Sequence, residues 1–147
     1  MSLIWKIKPF EALSLPELYS VLQLRSEVFV VEQNCVYQDI DGKDKKALHV
    51  IGEFDGETVA YCRLFKSGDY FDQASIGRVI VKENFREKKW GHDLIKEAIG
   101  AVQSHFGESQ ITISAQLYLK RFYERHGFVQ TSEEYLEDGI PHIEMKR

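Results

Sequence analysis

Between Ala74 and Gln116 the chain changes its period twice. ASIGRVIV is rich in β-branched residues and reads as a strand. WGHDLIKEAIGAVQSHF sets Leu94, Ile95, Ala98, Ile99 and Val102 on one helical face, and Gly107 can end that helix. QITISAQ is again a strand. Strand, helix and strand in this order make a crossover unit. An antiparallel meander precedes it: ALHVIGEF and ETVAYCRLF join at Asp55-Gly56, a strong hairpin signal, and SGDYFDQ turns into ASIGRVIV. The sheet is therefore expected to be mixed, with helices on its faces.

The flanking segments fit that frame. LIWKIKPF alternates and reads as a strand. In SLPELYSVLQLRSEVFVVEQ, Ser14 and Glu17 have capping-box spacing and Pro16 suits a first turn. Leu18, Leu22, Arg25 and Phe29 share one face of that helix, flanked by Val21 and Val28. NCVYQDIDGKDKK is a polar loop, LYLKRFYERHG a short helix ending at Gly127, and FVQT and PHIEMKR two closing strands. The expected fold class is an α/β or α+β sandwich in one domain over residues 1–147.

Composition excludes several function classes. A net charge of −4 and a pI near 5.7 argue against nucleic-acid binding and against docking on anionic membranes. No apolar run is long enough to span a bilayer, and MSLIWKIKPF lacks the features of a signal peptide, so a cytoplasmic protein is expected. Cys35 and Cys62 have no metal-ligand spacing. DIDGKD fails as a calcium loop, because Lys43 takes a ligand position, Asp44 replaces the turn glycine and Val50 stands where the closing Glu belongs. A turn held by side-chain-to-backbone bonds is expected instead, and no metal.

The segment VKENFREKKWG carries Arg86, Lys88 and Lys89 into a helix start. A helix N-terminus offers free N–H groups and partial positive charge, so it suits a phosphate. Neither GxxxxGK[ST] nor GxGxxG is present. On these residues alone, a phosphate site and a solvated basic turn remain equal readings.

The same stretch resembles the pyrophosphate-binding segment of the GCN5-related N-acetyltransferases (GNAT), written [QR]-x-x-G-x-[GA]. Arg86 matches its first position and Gly91 its last, while Lys89 replaces the middle glycine. FYERHGF resembles the family's aromatic-Tyr-x-x-x-Gly-Phe segment, and VLQLRSEVFVVEQNCVYQDIDGKD, IGRVIV and EDGIPHI are similar to its ElaA-like branch. The resemblance implies a splayed central sheet, with acetyl-CoA as co-substrate and no metal. Val79, Ile80 and Val81 would then offer backbone groups to the pantetheine and thioester. Arg86, Glu87, Lys88, Lys89, Trp90, Gly91 and His92 would surround the pyrophosphate, and Gln116 would bind CoA through its amide. Tyr123 would protonate the departing thiolate, leaving Phe122 as the better core anchor.

The acceptor implied is an amine of a small molecule or a peptide N-terminus, and assembly into a homodimer is allowed. Such an amine must lose a proton. Candidate bases are Glu32, Asp39, Asp41, His49, Glu137 and His142, with His142 first because an imidazole suits proton uptake near neutrality. Glu32 and Gln33 would form an acceptor wall, and Arg63 and Arg78 would pair with the acids or bind an acceptor carboxylate. Glu32, Asp39, Asp41, Glu137 and Asp138 together suggest an acidic wall that draws in cationic amines. Use of another acyl-CoA, and a non-catalytic CoA-binding module, are the competing expectations.

Overall fold

The computed structural model describes residues 3–147; Met1 and Ser2 lie outside the described residues. Eight strands share one sheet: β1 (Ile4–Pro9), β2 (Leu48–Phe54), β3 (Glu57–Phe65), β4 (Ala74–Val81), β5 (Ile111–Gln116), β6 (Val129–Gln130), β7 (Tyr135–Glu137) and β8 (Ile140–Lys146). The order is β1-β2-β3-β4-β5-β8-β6, with β7 also paired to β8. Among the described residues only β4 and β5 pair in parallel, as the crossover through α2 (Trp90–Phe106) requires. Asp55 and Gly56 have φ of 52° and 79°, the left-handed pair that lets a two-residue hairpin follow the twist of its strands.

Side chains alternate along the strands and build two cores. Val50, Ala60, Cys62 and Leu64 face α2, whose Leu94, Ile95, Ala98 and Val102 are fully buried against them. Trp90 and Ala101 complete that helix face, while Ile99 is only half-buried. Ile51, Tyr61 and Ile80 face the other way, toward α1 (Leu15–Arg25). The capping box of α1 forms: Glu17 N–H donates to Ser14 Oγ at 3.1 Å, and Ser14 N–H to Glu17 Oε1 at 2.8 Å.

The buried stripe of α1 differs from the expected one. Val21, Leu24, Arg25 and Val28 are buried, whereas Leu18, Leu22 and Phe29 are half-buried. The two stripes share Arg25 and lie side by side on the helix, so local period could not choose between them. The helix also widens after Arg25 into a π-helical segment, Ser26–Glu32, in which Gln33 N–H reaches back to Val28 C=O at 3.2 Å. A further difference is β7, whose hairpin to β8 turns on Asp138 and Gly139, again both left-handed. Tyr123 on α3 (Lys120–Glu124) is in the core and Phe122 is half-buried, the reverse of the expected packing.

The face toward α1 is held by ions. Arg25 donates to Asp39 Oδ2 (2.8 Å), Asp44 Oδ1 (2.7 Å) and Asp39 C=O (3.0 Å). Arg63 donates to Asp41 Oδ1 and Oδ2 (2.9 and 2.6 Å) and to Asp44 Oδ1 (2.9 Å). This network pins the loop after α1 onto β3. In DIDGKD, Lys43 N–H donates to Asp41 Oδ1 at 3.0 Å, so the turn is closed by its own side chain and backbone. His49 Nε2 faces the Asp44 carbonyl at 2.9 Å; a carbonyl only accepts, so Nε2 carries the proton and Nδ1 accepts from Tyr61 OH at 2.6 Å.

These groups give stability a definite pH dependence. Burial pulls His49 below its ordinary 6.5, against the bond to Asp44. Burial pushes Asp41 and Asp44 up, but the arginine hydrogen bonds outweigh it and hold both below the ordinary 3.8. In each case the unfolded chain binds more protons, so stability rises with pH. The His49 contribution is complete above 6.5 and erodes below it, whereas the aspartate contribution is complete above 3.8 and is lost as pH falls through the lower folded values. Urea unfolding followed from pH 8 to pH 3 should show two stages of loss, one beginning near pH 6.5 and one near pH 4. A stability that stays flat between those points would contradict the buried neutral His49.

Candidate active site between diverging parallel strands

β4 and β5 are paired at only two positions, Ala74↔Ile111 and Ser75↔Thr112. Beyond them the strands separate, although β5 stays paired to β8 through Gln116. The cause lies in β4. Between Tyr61↔Ile80 and Arg63↔Gly77, β3 advances two residues and β4 three, so Arg78 and Val79 form a bulge, with Arg78 at φ 53°. A bulge bends its strand and ends regular pairing. A cleft of about 390 Å³ opens in the gap. Lys82 N–H donates to Val59 C=O on β3 at 2.8 Å. By alternation, the backbone groups of Val81 and Val79 point away from β3, toward the gap. The Ile80 side chain also reaches the cleft while packing beneath α1.

One end of the cleft is the start of α2. Lys89 takes a left-handed conformation, φ 60°, a region that glycine enters freely and other residues at some cost. Trp90 and Gly91 stand in the first turn of α2, where the helix itself offers their N–H groups no carbonyl partner. Gly91 faces the cleft beside the Phe122 ring and Val81. Glu87, Lys88, Lys89, Trp90 and His92 do not line it. The Trp90 ring is buried against Phe54 and Phe85, so only its N–H is available to an anion. His92 Nδ1 meets His126 Nε2 at 2.8 Å. Arg86 lines the cleft, but its charge is engaged: Nη1 and Nη2 donate to Glu32 at 2.6 and 2.8 Å, and Nε to Val81 C=O at 2.9 Å.

Further along, Tyr123 is 5% exposed, lines the cleft, and its hydroxyl has no partner among the described residues. Burial pushes its pKa well above the ordinary value, so it stays protonated. Gln116 reaches the cleft from β5, as does Ser114 two residues earlier. Ser114 anchors a polar chain on the opposite wall: Tyr135 OH lies 2.6 Å from its Oγ, which donates to Glu137 Oε1 at 3.1 Å. Glu137 Oε2 lies 3.4 Å from His142 Nε2. His142 Nδ1 sits 2.7 Å from Ile140 C=O and must carry the proton there, which leaves Nε2 free to accept one.

The expected acceptor residues divide. Glu32, Gln33, Arg78, Glu137, Asp138 and His142 line the cleft. Asp39, Asp41, His49 and Arg63 do not; they belong to the buried ion network and its His49–Tyr61 extension. Arg63 therefore pairs with the acids and is out of reach of an acceptor. The acidic wall shrinks accordingly, since Asp39 and Asp41 are neutralised by arginines and Glu32 by Arg86. Only Glu137 and Asp138 remain of it. Phe29, Cys35, Tyr37 and Ser114 also line the cleft, although none of them was an expected site residue. Ser114 was readable in principle, because it shares a strand face with Gln116. Cys35, whose Sγ lies 3.3 Å from Asp138 C=O, joins segments 103 residues apart and left no local signal.

The model for the acetyltransferase (GNAT) domain matches residues 17–147. The chain is 44% identical to protein ElaA of Escherichia coli over 145 residues, covering 97% of this chain and 95% of that protein. The crystal structure of Escherichia coli ElaA superposes with a TM-score of 0.92 at 43% identity, covering 99% of both chains. That of an acyl-CoA N-acyltransferase from Pseudomonas aeruginosa superposes with a TM-score of 0.94 at 43% identity, also covering 99% of both. The diverging strands, the first-turn amides of α2 and this similarity agree: the chain belongs to the GNAT acetyltransferase family, with the mixed α/β fold of acyl-CoA N-acyltransferases and a site suited to acyl-CoA.

Proposed function

We propose that this protein transfers an acetyl group from acetyl-CoA to a primary amine of a small molecule or a peptide N-terminus. The observation that carries the reading is the cleft itself. It joins strand backbone that has lost its ladder partner, the first-turn amides of α2, an unpartnered Tyr123 hydroxyl and a His142 with an open Nε2. Attack of an amine on a thioester calls for one group to take a proton and another to give one, and the cleft offers both.

The backbone of Val79 and Val81 takes the place of a missing strand partner and holds the pantetheine arm in extended form. An N–H there polarises the thioester carbonyl, where negative charge grows during attack. Trp90 and Gly91 N–H groups receive the pyrophosphate, and the helix-start dipole favours its charge. Gln116 supplies an amide to the arm. His142 Nε2 takes the proton from the attacking nitrogen, with Glu137 beside it to stabilise the resulting imidazolium. The new N–C bond forms as the C–S bond breaks, and Tyr123 gives its proton to the leaving sulfur. Burial makes Tyr123 a weak acid, but the same apolar surroundings destabilise a thiolate, so donation becomes favourable as charge builds on sulfur.

Release of free thiol from acetyl-CoA, measured against a panel of amines, tests the reading, and longer acyl-CoA donors in the same assay set the acyl preference. Tyr123→Phe keeps the ring and removes the proton; turnover should fall about 10²–10⁴-fold with CoA affinity nearly unchanged. Turnover close to that of the unaltered protein, with chemistry rate-limiting, would assign Tyr123 to packing alone. His142→Ala should lower the rate most near neutral pH and least at alkaline pH, where the amine arrives deprotonated. Parallel pH profiles for the two proteins would remove His142 as the base.

A further inference from the structure

The bulge in β4 does more than separate it from β5. Ile76, Val79 and Val81 pack on the face toward α2, and Ile80 on the face toward α1. By the two-residue period of a strand, Arg78 would share the face of Ile76 and point into an apolar core. The extra residue reverses this. Arg78, at φ 53°, is turned to the face toward α1, where it meets Asp39 and lines the cleft. A left-handed arginine is costly, and a bulge next to a reactive site commonly serves to aim a side chain.

The aim of this guanidinium is specific. Its Nε lies 2.7 Å from Asp39 Oδ1 as a charge contact, not a directed hydrogen bond. Its Nη2 donates to Asp39 C=O at 3.0 Å and lies 3.6 Å from Asp41 Oδ2. The rings of Phe29 and Tyr37 lie 5.9 and 5.8 Å from its central carbon and limit its swing. Nη1 has no partner among the described residues. Arg25, by contrast, has all three nitrogens engaged, and Arg63 lies outside the cleft. So Arg78 alone of these arginines brings an open donor to the cleft from a fixed base. Its side chain keeps 18% of its exposure, which suits a group left for a ligand.

A second wall of the cleft, the β7–β8 hairpin, carries Glu137 and Asp138, with His142 beside Glu137. That wall repels a carboxylate and favours an ammonium. We propose that Arg78 is a specificity-determining residue that binds the carboxylate of the acceptor, so that the acceptor is an aminocarboxylate: an amine that carries its own carboxylate. The inference rests on the acetyltransfer reading and narrows its substrate. The two charged walls orient such a molecule, carboxylate at Arg78 and amine toward His142. The Arg78 charge is already balanced by Asp39 and Asp41, so the selectivity comes from a directed, charge-assisted hydrogen bond and not from a surplus field.

The test uses matched pairs, free amino acids and dipeptides against their C-terminal amides, which keep the amine and lose the negative charge. Thiol release from acetyl-CoA should favour the free carboxylates in kcat/KM by roughly tenfold or more, as expected for one charge-assisted bond. In Arg78→Gln that ratio should fall toward one, and Arg78→Lys should restore some of it. Melting curves and CoA binding check that each variant is folded; should Arg78→Gln fail to fold, the ratio in the unaltered protein and in Arg78→Lys decides. Equal rates for acids and amides, or a preference that survives in Arg78→Gln, overturns the assignment of Arg78 and leaves acetyl transfer standing. Thiol release with no member of this panel overturns the aminocarboxylate assignment, and release with no amine of the broader panel either, CoA binding being intact, overturns the acetyltransfer reading. Calorimetric binding of the same pairs to the CoA complex then decides Arg78 by itself: equal affinity for acid and amide refutes it.

Discussion

Two residue pairs hold β4 to β5, and then the sheet opens. Every functional feature depends on that failure of pairing. A buried strand edge normally finds a partner, because unpaired backbone groups are costly away from water. Here the bulge at Arg78 and Val79 denies β5 its register, while β3 and β8 keep the outer edges of both strands fixed. The gap is therefore held on both sides and lacks a strand partner in the middle, although Arg86 Nε takes the Val81 carbonyl. An extended, polar, amide-bearing ligand arm is the natural filler of such a gap, and the first-turn amides of α2 lie where its charged end would emerge.

The second constraint is electrostatic. Arg25, Arg63 and Arg78 face Asp39, Asp41 and Asp44 in one connected network under the loop that follows α1. Buried ion pairs seldom add much net stability, but removing one partner is expensive, so they fix geometry strongly. This network sets where the wall formed by Phe29, Cys35 and Tyr37 stands relative to β4. It also withdraws Asp39 and Asp41 from any direct role toward an acceptor. Arg86 and Glu32 form a similar but exposed pair across the cleft mouth, and being exposed it is easily exchanged for another anion.

Features with a local period were legible in the sequence. The Asp55-Gly56 hairpin, the α2 face and its Gly107 end, the capping box at Ser14 and the crossover all follow from near neighbours. What escaped was set at a distance. The choice between two stripes on α1 depends on which one the sheet receives. The partners of Arg63, Arg86 and Asp39 lie far away in sequence, so the expected acidic wall included residues whose charge is already matched. The π-helical widening after Arg25 has no glycine to announce it, and Gly77 beside the bulge was a weak local signal because the left-handed residue there is Arg78. The Asp138-Gly139 turn did carry a signal, but β7 beside it is three residues long, too short to show a period.

The central claim is that the backbone of β4 beyond Ser75 serves a ligand in place of a strand. Amide hydrogen exchange reads this directly, because exchange reports the protection of individual N–H groups. With saturating CoA, exchange at Val79 and Val81 should slow by about tenfold or more, as for amides newly placed in a ladder. Amides in the β2–β3 hairpin, which is already paired, should change little. Unchanged exchange at Val79 and Val81 while CoA is demonstrably bound would contradict the account, and would place the ligand elsewhere than between the diverging strands.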